Sequence, residues 1–200
     1  MAKTEKPSKF TIFETTCRQM EQQGYHQKSL IISAKKLNLI SILLIVPIIA
    51  VPLLLYLLRW GFFSGNFVAI QFAGWFLPAL ILSIFVHELI HGITWSLFCK
   101  DGFHSIHFGF QLKTLTPYCH CAQPLQKGAY LIGTLMPCLI LGVGAIVLSM
   151  LFPFPDLVLF GAVNIALAVG DLAIALLLLP QKEVLVVDHP TEPGLIAFTR

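Results

Sequence analysis

Four long apolar runs constrain this 200-residue chain more than any other feature. They cover Leu39–Leu58, about Phe67–Phe98, Ala129–Leu151 and Leu157–Leu179. A helix of roughly 20 apolar residues crosses about 30 Å of hydrocarbon, so each run is long enough to span a bilayer. Charge is correspondingly scarce: 12% of residues are charged, against roughly 25% in soluble domains. The expected fold is therefore an all-α membrane protein with four transmembrane helices over residues 39–180. Residues 1–38 form a small cytoplasmic N-terminal segment, and residues 181–200 form a cytoplasmic tail. With 13 basic and 10 acidic residues, the surface is too weakly basic to track phosphates, and no nucleic-acid partner is expected.

The distribution of Lys and Arg sets the orientation. Lys3, Lys6, Lys9, Arg18, Lys28, Lys35 and Lys36 precede the first run. Lys100, Lys113 and Lys127 lie between the second and third, and Lys182 and Arg200 follow the fourth. The two remaining loops hold only Arg59. Four spans with both termini in the cytoplasm put all the others on one side. The first run begins too late for an ordinary cleaved signal peptide, so it reads as a retained anchor. Within the leader, Phe10–Gln23 suits an amphipathic helix ending at Gly24, and Gln27–Ser33 a short strand. Pro47, Pro52, Pro78 and Pro137 fall inside the runs and are tolerated there as kinks. Gly133, Gly142, Gly144, Gly161 and Gly170 allow the third and fourth helices to pack closely. Cys17, Cys99, Cys119, Cys121 and Cys138 all map to the cytoplasmic side or a span, which argues against a disulfide framework.

Four strongly polar ionisable side chains interrupt the runs: His87, Glu88, His91 and Asp171. Such groups are costly in lipid, face a polar interior and mark function. The first three belong to an HExxH pattern, His87-Glu88-Leu89-Ile90-His91. On a helix, residues four apart share a face, so both imidazoles can ligate one zinc ion. Glu88 can then act as general base toward a water whose pKa zinc lowers to about 7. A His–Glu network between helices and a proton relay are the other readings of the same residues.

A catalytic zinc site needs a third protein ligand. His87 and His91 precede Lys100 by 13 and 9 positions, and Asp171 precedes Lys182 by 11. At about 1.5 Å per residue the three side chains share a depth of about 14–20 Å from those cationic markers. Asp171 is thus the expected third ligand. His104, His107 and His120 are alternative ligands in the polar loop, and Cys119-His120-Cys121 offers a C-x-C pair. Asn164, two turns before Asp171, is a candidate to bind the substrate backbone or an oxyanion. Between the second and third runs, Ser105–Leu112 alternates polar and apolar residues, and Thr114–Gln123 follows with β-branched and aromatic residues. This predicts a β-hairpin-like loop near the site, with an edge for an extended peptide.

These residues carry a family resemblance. HELIHG in a membrane helix, a strand-like loop and a late GD in another membrane helix resemble the intramembrane zinc metalloproteases of the site-2 protease type. The FGF and TPYCHC loop, the Pro of TLMPC and the NIALAVGDL segment resemble a family of short bacterial membrane peptidases of the zincin type. The likeness covers roughly residues 70–180. It implies His87, His91 and Asp171 as zinc ligands and Glu88 as catalytic base. It implies a multi-pass protein of the bacterial inner membrane that cuts a membrane-protein or peptide substrate in or beside the bilayer. A non-enzymatic metal- or proton-binding bundle, transporter-like or a scaffold pseudo-protease, is the alternative.

Overall fold

The computed structural model describes residues 9–61, 74–111, 116–182, 184–190 and 192–200. Lys3, Lys6 and Lys113 of the charge count lie outside the described residues, as do 67–73 of the second apolar run and positions 112, 114 and 115 of the loop.

The leader folds as its pattern predicts. Helix α1 covers Lys9–Gln22, and Gly24 reverses the chain with φ 83°. Strand β1 follows over His26–Ile31. Helix α2, Ala34–Trp60, starts where the Ser33 side chain accepts the Lys36 N–H, and it runs through Pro47 and Pro52. Helix α3, Phe76–Ser96, carries the HExxH residues. Strands β2 (Ile106–Gln111) and β3 (Thr116–Cys121) form the expected antiparallel hairpin, with His107 opposite His120. After the short β4 (Leu125–Gln126) comes α4, Lys127–Pro137. Beyond Pro137 the helix widens into a π-helical stretch, Cys138–Gly144, and continues as α5, Ala145–Leu151.

Three helical stretches, Ala34–Trp60, Phe76–Ser96 and Lys127–Leu151, are long and apolar enough to cross a membrane. The fourth run corrects the expectation of a single straight helix. It divides into α6, Pro155–Leu167, and α7, Val169–Leu178, bent by 51°. At the break the Ala168 N–H is shared between the carbonyls of Asn164 and Ile165, both at 3.1 Å. The bend places Asp171 in the first turn of α7.

The all-α expectation is also corrected. Residues 185–199 form β5 (Leu185–Asp188) and β6 (Gly194–Thr199) instead of a plain tail. With the leader and the start of α4 they build a four-stranded sheet ordered β1-β6-β5-β4, antiparallel throughout. The sheet therefore gathers, at one end of the bundle, the chain entering α2, the chain entering α4 and the chain leaving α7. Lys127 reinforces this junction by donating from Nζ to the Leu179 and Gln181 carbonyls at 2.7 and 2.5 Å. Cations suit the otherwise unpaired carbonyls at a helix C-terminus. Trp95, Tyr130, Leu178, Val186 and Leu195 belong to one buried cluster that joins helix ends to sheet.

Deeper in the bundle, α6 lies against the π-helical stretch. A Cβ on Gly161 would sit 2.6 Å from the Gly142 carbonyl oxygen and 2.8 Å from Ile146 Cγ1. Glycine here sets how closely the two backbones approach, as small residues do between membrane helices. Gly161→Ala is expected to force the helices apart at a cost of about 1–3 kcal/mol. A lowered thermal midpoint of the detergent-purified variant checks this, and an unchanged midpoint contradicts the packing.

Candidate metal centre

His87 and His91 are one turn apart on the buried face of α3, and the bend before α7 brings Asp171 to them. His87 Nε2 lies 3.0 Å from Asp171 Oδ2, and His91 Nε2 lies 3.6 Å from Asp171 Oδ1. The two histidine Nε2 atoms are 3.1 Å apart. Among the described residues these three form the one His/Cys/Asp/Glu group that could hold a metal, with ligand atoms all within 4.8 Å. Ligands about 2.0–2.1 Å from a tetrahedral zinc are separated by roughly 3.3 Å. The observed separations bracket that value, and the His₂Asp donor set suits zinc.

The surrounding structure fixes the imidazoles. His91 donates from Nδ1 to the Gly133 carbonyl oxygen at 2.8 Å. A carbonyl can only accept, so Nδ1 holds the proton and Nε2 presents its lone pair to the metal position. The His91 ring stacks on Trp95 at 5.0 Å and 15°, and Trp95 stacks on Tyr130 at 5.4 Å. Trp95 Nε1 also donates to the Tyr130 carbonyl at 3.1 Å. This stack requires Gly133, since a Cβ there would overlap the indole of Trp95.

Glu88 lies beside the group. Its carboxylate lies near Cys119 in β3, and both residues line the same cavity. Glu88, His91 and Asp171 open onto a cavity of about 250 Å³. Cys119, His120, Tyr130 and Asp188 line the same cavity.

The other candidates fall elsewhere. Asn164 is buried in α6, where Nδ2 donates to the Phe160 carbonyl at 2.9 Å, and it does not line the cavity. His104 is exposed in a 3₁₀ turn and His107 is exposed on β2. His120 is buried, but its Nδ1 lies 3.0 Å from Asp188 Oδ2 instead of joining the metal group. Burial, with the nearby Glu88 and Asp188 charges, pushes the Cys119 thiol well above its ordinary range. Burial likewise raises Cys121, whose Sγ faces Cys99 Sγ at 3.4 Å. Among the described residues neither cysteine joins a group of three side chains that could hold a metal.

Asp188 is a residue that the sequence does not single out, because residues 181–200 read only as a tail. Its signal is the apolar Leu185-Val186-Val187 run before it, which includes two β-branched valines.

One family, described as "Putative zincin peptidase", matches residues 80–185. The chain belongs to this family. The matched segment begins in α3 and ends in β5, so it contains the HExxH helix, the hairpin and Asp171. Membership makes zinc the metal expected at the His87–His91–Asp171 group. No curated protein and no solved structure matches the chain.

Purified zincin-family protein is expected to hold about one zinc per chain. Elemental analysis of His87→Ala and Asp171→Ala should show the metal lost in both. Zinc retained by Asp171→Ala at wild-type content would remove Asp171 from the ligand set.

Proposed function

We propose that this protein is a polytopic membrane zinc metallopeptidase that hydrolyses a peptide bond within or beside the bilayer. The observation that carries the reading is the convergence of His87, His91 and Asp171 into one group that could hold a metal, with Glu88 lining the same cavity as His91 and Asp171. Two of the ligands and the carboxylate lie on an apolar helix, where ionisable groups are costly unless they serve a site.

His87, His91 and Asp171 would hold the metal. A zinc ion bound there supplies Lewis-acid polarisation of the scissile carbonyl and acidifies the attacking water. Glu88 takes the proton of that water as it adds to the carbonyl carbon. As the C–N bond breaks, Glu88 passes the proton to the departing nitrogen, so the amine leaves neutral. Gly133 and Trp95 keep His91 in one tautomer and one orientation.

Strand β3 passes over Glu88, and an extended substrate laid along the hairpin would bring its backbone to the site. A transmembrane substrate must unwind locally to present such a backbone, so helix-breaking residues near the cut favour cleavage. The membrane placement rests on the apolar helices. The cytoplasmic position of the four-stranded sheet rests on the Lys and Arg distribution. The HExxH-to-GD arrangement supports kinship with the site-2 type of intramembrane protease, and a bacterial inner membrane is the setting proposed.

Glu88→Gln preserves the shape of the side chain and removes the proton acceptor. The variant is expected to retain zinc and lose cleavage by about 10²–10⁴-fold, measured with fluorescein-labelled casein and detergent-purified protein. Undiminished cleavage would end the peptidase reading. Metal-dependent ion uptake into proteoliposomes, preserved in Glu88→Gln, would favour a transporter-like bundle.

A further inference from the structure

A second polar cluster faces the metal group across the same cavity. His120 in β3 is 3% exposed, and its Nδ1 lies 3.0 Å from Asp188 Oδ2 in β5. Asp188 Oδ1 accepts the Tyr130 hydroxyl from α4, also at 3.0 Å. Tyr130 is itself 2% exposed. Three separate elements thus converge to fix one imidazole.

Such a network is costly in a buried setting unless it is fully satisfied. Both Asp188 oxygens are engaged, so the carboxylate cannot turn. A carboxylate accepts only, so His120 Nδ1 carries a proton. Nε2 is then the ring nitrogen left without a protein partner among the described residues. Glu88, His91, His120 and Asp171 all line the cavity of about 250 Å³.

We propose that His120 is a further catalytic residue, whose Nε2 donates a hydrogen bond to the scissile carbonyl oxygen as it becomes a tetrahedral oxyanion. Asp188 and Tyr130 are its positioning residues. The inference rests on the peptidase reading and adds a residue to it. In this role the Nδ1–H is held by Asp188 and the Nε2–H is given to the oxyanion. No proton is transferred to the substrate by His120. The water proton still moves through Glu88 to the leaving nitrogen, so the balance of the hydrolysis is unchanged. A donor set where negative charge develops stabilises the transition state more than the ground state.

The test uses full-length, zinc-loaded protein in detergent. Cleavage of labelled casein is followed, and the cut site is read by mass spectrometry. A phosphinic peptide of that sequence then serves as a tetrahedral oxyanion mimic. His120→Ala is expected to keep wild-type zinc content and lower kcat by roughly 10²-fold, with KM little changed. Its affinity for the phosphinic peptide should fall by a similar factor, while a product peptide binds as before. His120→Asn can place an amide N–H where Nδ1 meets Asp188 and guards against misfolding, yet it is too short to reach the oxyanion, so it should show the same kcat loss. Asp188→Asn should lie between these variants and wild type.

Full kcat in both His120 variants, or unchanged phosphinic-peptide affinity, overturns the inference while the peptidase reading stands. Loss of zinc in His120→Ala with folding intact makes His120 a ligand and also overturns it. Wild-type protein that neither cleaves casein nor depends on Glu88 removes the peptidase reading, and this inference falls with it.

Discussion

A carboxylate within an apolar helix bundle must be compensated, and much of this structure is arranged around that requirement. Asp171 has two imidazoles within 3.6 Å, and it occupies the first turn of a helix whose backbone N–H groups favour negative charge. Burying any of the three polar groups alone would cost several kcal/mol. Together, and with a divalent cation between them, the cost becomes binding energy for the metal. The bend at Ala168 follows from the same need. A straight helix through residues 155–178 would have no free N-terminus at the depth where Asp171 sits.

The sheet performs the complementary task at one end of the bundle. It joins the leader, the entry to α4 and the chain after α7 into one antiparallel unit. The helices that carry Gly133 and Asp171 are thereby referenced to a common platform, and α3 joins it through Trp95 in the same buried cluster. The stack of His91, Trp95 and Tyr130 then runs from the metal group to Asp188 in that platform. Site and sheet are therefore parts of one packed object, and a change in either reaches the other through aromatic rings with little freedom to move.

Much of this was legible in the residues themselves, for identifiable reasons. Long apolar runs announce spans because lipid accepts little else. The HExxH pair was legible because helical geometry ties spacing to face. Asp171 was legible through depth alone, which needs no knowledge of how the helices pack. What escaped was decided by tertiary contact. The fold of residues 185–199 depends on pairing with β1 and β4, and the four-residue β5 has too little periodicity to show it. The bend at Ala168 and the π-helical stretch after Pro137 are set by neighbours, not by local propensity. His120 looked like one of several loop histidines because its partner, Asp188, lies 68 positions further along the chain.

The pairing of β1 with β6 also bears on the order in which the molecule comes into being. His26 is opposite Thr199, with nearly the whole chain between them. β1 is synthesised before the apolar helices and β6 after them, so the leader strand has an open edge until β6 is made. Contacts of such long sequence separation form late and slowly. His87, Glu88, His91 and Asp171 all precede Asp188 and its strand in the sequence. The chain can therefore gather these side chains first, and the platform that holds His120 closes only once β6 has been made.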